Sequence, residues 1–100
     1  MSWEQPEKSR FDTIGNSVQL VNIDLAKNKK RYYYLALTTS LFNIVLVRAW
    51  GRIGSRSRVK EDWFDEMNDA LVHANRIFRQ KCSRGYIEVD DIRDFNGRDV

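Results

Sequence analysis

Apolar and polar positions alternate along the first 60 residues and then switch to helical spacing. Residues 18–24 alternate as a first strand, and residues 26–30 form a basic turn, Ala-Lys-Asn-Lys-Lys. Residues 31–38 form a second strand. Side chains point alternately to the two faces of a strand, so Tyr33, Leu35 and Leu37 make its core face and Tyr32, Tyr34 and Ala36 the other. Residues 39–42 turn the chain, and residues 43–52 make a third strand around Ile44-Val45-Leu46-Val47. A fourth runs over about 56–62, with Arg56, Arg58 and Lys60 on one face and Val59 on the other. Connections this short favour antiparallel neighbours.

Beyond residue 65 the period changes. Met67, Ala70, Leu71, Ala74, Ile77, Phe78 and Cys82 fall at the i, i+3, i+4, i+7 positions of an amphipathic helix. Asp65 is placed to cap its start, and Glu66 and Asp69 suit the positive end of the helix dipole. Lys81 and Arg84 suit the other end, and Gly85 fits the position after the C-cap. Residues 86–89 make a last short strand. The expected fold class is therefore α+β: a twisted antiparallel sheet of four or five strands against one C-terminal amphipathic helix. Residues 1–16 read as an N-terminal arm anchored by Trp3 or Phe11, residues 17–89 as the folded domain, and residues 90–100 as a flexible acidic tail.

Charge sharpens this picture. The chain of 100 residues has a net charge of +3, unevenly spread. Residues 26–60 hold nine Lys or Arg and no acid, whereas residues 61–75 hold five acids and no base. Such blocks predict one basic and one acidic face, a statement about partners. The N-terminus lacks a basic-then-apolar leader pattern, and no apolar run approaches a membrane span. A lone cysteine, Cys82, gives no intrachain disulfide and no zinc spacing. These features fit a soluble cytoplasmic protein with no membrane partner and no cofactor.

The candidate chemistry lies in Arg48-Ala-Trp50-Gly51-Arg52 at the end of the third strand. Alternation puts Arg48, Trp50 and Arg52 on one face. Unpaired charge is costly to bury, so that face is expected to be exposed, with Trp50 free to stack on a sugar or base. Gly51 serves either turn geometry or the close approach of a ligand. Lys27, Lys29, Lys30, Arg31, Arg48, Arg52, Arg56, Arg58 and Lys60 lie on neighbouring strands and turns, near enough to gather into one patch for phosphate. Trp63, Tyr33, Phe64 and Phe78 read as core, Cys82 as a small buried hydrophobe, and Tyr32 and Tyr34 as exposed. His73, off the apolar stripe, reads as solvated. No nucleophile–base pair, metal spacing or phosphate-binding glycine loop is visible, so no enzyme activity is expected.

Asp24-Leu-Ala-Lys27-Asn-Lys29-Lys30-Arg31-Tyr32-Tyr33, then Leu41-Phe42, Val45-Leu46-Val47-Arg48, Trp50-Gly51-Arg52-Ile53-Gly54 and Lys81-Cys-Ser-Arg84-Gly85-Tyr86, in this order, resemble the WGR domain over about residues 18–89. The chain looks like a stand-alone bacterial WGR protein. The resemblance implies a twisted antiparallel sheet on one helix. In poly(ADP-ribose) polymerases the domain binds DNA at a strand break and signals to a catalytic domain, which this chain is too short to carry. By resemblance, Trp50 packs on the sugar at a DNA 5′ end, Arg52 contacts DNA or a neighbouring domain, and Lys81 approaches phosphate. The polymerases usually have Asn-Lys-Phe-Tyr where this chain has Lys30-Arg31-Tyr32-Tyr33, and Tyr86 replaces a Trp. Here Lys30 is expected to supply a phosphate contact in place of the Asn. The expected function is a non-enzymatic nucleic-acid-binding module for DNA ends or nicks, with Trp50, Gly51, Arg52, Arg48, Lys81, Lys29, Lys30, Arg31, Arg56 and Arg58 as contacts. The alternative is a protein-interaction module that docks a separate regulatory or catalytic partner through Trp50 and Arg52, residue types favoured at protein hot spots.

Overall fold

A computed structural model describes residues 10–95. Five antiparallel strands form one open sheet: β1 (Ser17–Asp24), β2 (Lys29–Thr39), β3 (Ile44–Arg52), β4 (Arg58–Phe64) and β5 (Ile87–Val89). Their order across the sheet is β4-β3-β2-β1-β5. The helix α1 (Met67–Ser83) packs on one face, so the molecule is a slab only 18 Å thick in its shortest dimension. This is the α+β arrangement that the alternation and the helical stripe predict.

The register explains which side chains meet the helix. Leu20 faces Tyr33, Val18 faces Leu35, and Leu37 faces Leu46 across neighbouring strands. These residues close against Ala70, Ala74, Ile77 and Phe78 of α1 to form the core. Phe11 completes it, 2% exposed. Its backbone is held by Asn75 of α1, which accepts from Phe11 N at 2.8 Å and donates to Phe11 O at 2.9 Å. The arm thus enters the core at Phe11, while Trp3 lies outside the described residues.

Several expectations need correction. The fourth strand begins at Arg58, because Gly54 and Ser55 prolong the preceding turn. The helix starts one residue later than an Asp65 cap requires: Glu66 is the N-cap residue, without a side-chain bond. Asp65 instead accepts from Asn43 Nδ2 at 2.8 Å. Trp63 is 53% exposed, not core. It pairs with Val45 on the face away from the helix, leaving Phe64 to pack inward. Cys82 is exposed, because at 100° per residue it lies well off the line of Ala70, Ala74 and Ile77. Tyr32 is buried, not exposed, and its hydroxyl bonds Ser57 Oγ. His73 is half-buried beside Asp62 and against the Phe64 ring.

Residues beyond β5 also pack. Ile92–Phe95 form a 3-10 turn against β1. Gln19 grips the segment with two bonds, donating to Asp90 O at 2.9 Å and accepting from Ile92 N at 2.8 Å. No helix among the described residues is long and apolar enough to cross a membrane.

Candidate nucleic-acid interface

The site lies where the helix ends and the sheet continues. Trp50, directly across from Tyr33, shares the core face. Alternation does place Arg48, Trp50 and Arg52 together, but on the helix side of the sheet rather than on a separate basic face. Trp50 is accordingly half-buried and packs on the margin of the core. Its ring stacks on Tyr33, with centroids 5.6 Å apart and planes 12° apart.

Arg48 tolerates this position because it has partners. Its Nε lies 2.8 Å from Asp62 Oδ2, and its NH1 donates to Tyr33 Oη at 3.2 Å. Neither terminus of this ion pair is more than a fifth exposed. Arg48 thereby holds the Tyr33 hydroxyl, and its guanidinium lies 5.9 Å from the Trp50 ring centroid.

Lys81 comes down from α1 onto the same rings. It follows Ile77 by four residues and Phe78 by three, which sets it on the inner stripe of the helix. There it lies over the Tyr33 ring, whose centroid is 4.4 Å from Lys81 Nζ; the Tyr86 centroid is 5.8 Å away. A cation is stabilised over an aromatic face. Burial still lowers the Lys81 pKa, and the nearby cations Arg84 and Arg48 lower it further.

The helix then ends in a tight reversal that delivers Tyr86. Gly85 N donates to Cys82 O at 3.1 Å and Tyr86 N to Lys81 O at 3.1 Å, the paired bonds of a Schellman motif. Gly85 has a φ of 101°, which side chains other than glycine's rarely adopt. A Cβ there would also lie 3.4 Å from Asn22 Nδ2. Asn22 donates to Arg84 O at 3.2 Å and so ties the reversal to β1. Tyr86 meets Tyr33 edge-on, at 6.3 Å and 83°.

Two open recesses adjoin across Arg31 and Tyr86. One, of about 220 Å³, is lined by Arg31, Trp50, Gly51, Arg52 and Tyr86. The other, of about 210 Å³, is lined by Asn22, Lys29, Arg31, Lys81, Arg84 and Tyr86. Among the described residues five cations surround the pair, and no carboxylate lines either recess. Arg52 is aimed by Asn28, whose carbonyl and side-chain oxygens accept from its guanidinium at 3.0 and 3.1 Å. Asn28 can do this from a left-handed turn conformation, φ 54°. Gly51 lets the turn after β3 fold back closely, since a Cβ there would lie 3.3 Å from Arg56 O.

Of the residues singled out in the sequence, Trp50, Gly51, Arg52, Lys81, Lys29 and Arg31 come together here. Arg58 lies next to them, opposite Trp50 on β4. Lys30 does not: it alternates with Arg31 and faces the side of Tyr32, so it cannot replace the Asn of the polymerase motif at this recess. Arg56 sits in the turn before β4, outside both linings, and Arg48 is engaged by Asp62. Asn22, Arg84 and Tyr86 escaped the sequence reading as site residues. The Arg-Gly-Tyr after a helix is the signal that marks two of them, and Asn22 is found only through the β1–β2 register, where it faces Arg31.

The comparisons agree with this geometry. The family model of the WGR domain matches residues 16–93. The uncharacterized protein y4dW of Sinorhizobium fredii is 37% identical over 65 residues, which are 64% of this chain and 32% of that protein. The chain thus spans about a third of that relative's length. No solved structure matches the chain significantly. With its family match covering most of the chain, and with Trp50-Gly51-Arg52 at the heart of the recess, the chain belongs to the WGR domain family.

Proposed function

We propose that this domain is a non-enzymatic nucleic-acid-binding module that recognises DNA ends or nicks. One observation carries the reading: Lys29, Arg31, Arg52, Lys81 and Arg84 surround two adjoining recesses without an ion-pair partner among the described residues. Like charges held together without acids repel one another, and a polyanion relieves that repulsion. Family membership supports the same class of ligand. In this reading Trp50, backed by Tyr33, packs on a sugar exposed at a strand end, Arg52 and Arg31 hold the phosphates beside it, and Lys81 and Arg84 follow the next phosphates. The interior of an uninterrupted duplex offers no exposed terminal sugar to Trp50, which is the physical basis for preferring breaks and ends.

The test is an anisotropy titration of a nicked duplex and its intact counterpart, both closed by hairpin loops so that the nick is the sole strand end, at two salt concentrations. Expected are tighter binding to the nicked duplex and loss of affinity with salt; each phosphate neutralised contributes about −0.9 to the slope of log K against log salt. Trp50→Ala is expected to remove about 1–3 kcal/mol, the worth of one stacking contact. Equal binding to both duplexes, indifferent to Trp50, would reduce the site to a basic surface. No binding at low salt would reject the reading in favour of a protein partner at Trp50 and Arg52.

A further inference from the structure

The strand β4 ends the sheet, and among the described residues nothing pairs with its outer edge. A free edge presents unpaired N–H and C=O groups to any incoming strand, and proteins usually guard it with charge. Here the guard has an order. Arg58-Val59-Lys60-Glu61-Asp62-Trp63-Phe64 reads, from either end, as cation against aromatic, apolar against apolar, and base against acid, about Glu61. Val59 and Trp63 are 63% and 53% exposed on the face away from the helix.

We propose that β4 pairs antiparallel with β4 of a second copy of this chain, about a two-fold axis through Glu61. In that register Val59 lies opposite Trp63 of the second copy, Lys60 opposite Asp62, and Arg58 opposite Phe64, each pair occurring twice. Directly opposed residues in an antiparallel pair have Cβ atoms about 4.5–5.5 Å apart and share a face, so all these contacts form together. Asp62 is held in place by Arg48 and flanked by His73, so Lys60 meets a fixed carboxylate. Other registers do worse. A slip of one residue sets Val59 against Asp62, and centring on Lys60 opposes that lysine to itself and Trp63 to Ser57. Glu61 is the one unfavourable position, facing its own copy on the axis.

Both helices then lie on one side of a continuous sheet. Trp50, opposite Arg58, is three residues along the strand from the axis, which sets the two nucleic-acid recesses roughly 25 Å apart on that side. The pairing itself does not depend on the nucleic-acid reading.

Sedimentation equilibrium over a wide concentration range tests it. The 11.8 kDa chain is expected to dimerise reversibly. Trp63→Lys and Lys60→Glu should each weaken the dimer about tenfold or more, while Glu61→Gln strengthens it. Each variant is checked by circular dichroism for an unchanged fold. The register has its own readout: with Cys82→Ser as background, Glu61→Cys should cross-link across the axis under mild oxidation, and Val59→Cys should not. A chain that stays monomeric at every concentration overturns the proposal. So does a dimer indifferent to Trp63→Lys, or a Glu61→Cys chain that dimerises without cross-linking.

Discussion

Single residues carry much of the weight where α1 meets the sheet. Asn75 is a clear case. It satisfies both the N–H and the C=O of Phe11 inside the core, so Asn75→Ala leaves two backbone groups buried without partners. Each such group costs about 1–3 kcal/mol, and a loss of about 2–6 kcal/mol is expected in chemical denaturation. Lys81 makes a different prediction. Its pKa lies below the ordinary 10.5 through burial and then through Arg84 and Arg48, so the folded, unliganded domain holds this proton less tightly than the unfolded chain does. Its contribution to folding stability therefore rises with pH in the window below 10.5. Phosphate beside Lys81 acts oppositely and favours the ammonium. Affinity for nucleic acid should thus fall as pH approaches that window from below, and Lys81→Arg should flatten the profile, since arginine stays charged. Titrations of one duplex over a pH series check both statements.

At the scale of elements, the helix terminus builds the site. The Schellman reversal at Gly85 sets Tyr86 against Tyr33 and hands the chain to β5. Gly85→Ala forces a side chain into a left-handed conformation, at about 1–2 kcal/mol, and brings a Cβ toward Asn22. A lowered melting temperature is expected, together with weaker nucleic-acid binding, because Arg84 and Tyr86 move with the reversal. Much of this element was legible beforehand. The i, i+3, i+4 stripe located α1, and Gly85 marked its end. Strand alternation likewise identified Tyr33, Leu35 and Leu37 as core. What alternation did not tell was which face of β3 the core occupies. Leu46 points inward together with Arg48 and Trp50, and the charge of Arg48 made that face look solvated. Its partner Asp62 lies on the next strand, visible only once the β3–β4 register is known. Trp63 was misplaced for the same reason, one residue out of phase with the inward Phe64. Cys82 shows the limit of reading a stripe by residue type: Lys81 holds the inner position beside it.

The whole molecule has two distinct ends. Around Trp50, Tyr86 and Lys81 lies the basic, aromatic recess; at the other end of the strands, the β2–β3 turn exposes Leu41 and Phe42 at 83% and 86%. The nine-cation block in the sequence foretold a basic patch, and the structure divides it. Lys29, Arg31 and Arg52 join Lys81 and Arg84 at the recess, while Lys30 faces the opposite side of the sheet. Single substitutions should follow this division. Arg31→Ala, which borders both recesses, should lower the salt slope by about one unit, and Lys30→Ala should leave it nearly unchanged.

Whether a strand end sits on Trp50 is read from the indole N–H signals of the ¹⁵N-labelled protein. Trp50 lies in the recess and Trp63 on the far face of the sheet. On titration with a nicked duplex, the Trp50 signal should shift strongly and the Trp63 signal hold still, and intact duplex should move Trp50 less. A Trp50 signal that stays fixed while the duplex binds would mean that no strand end rests on the indole.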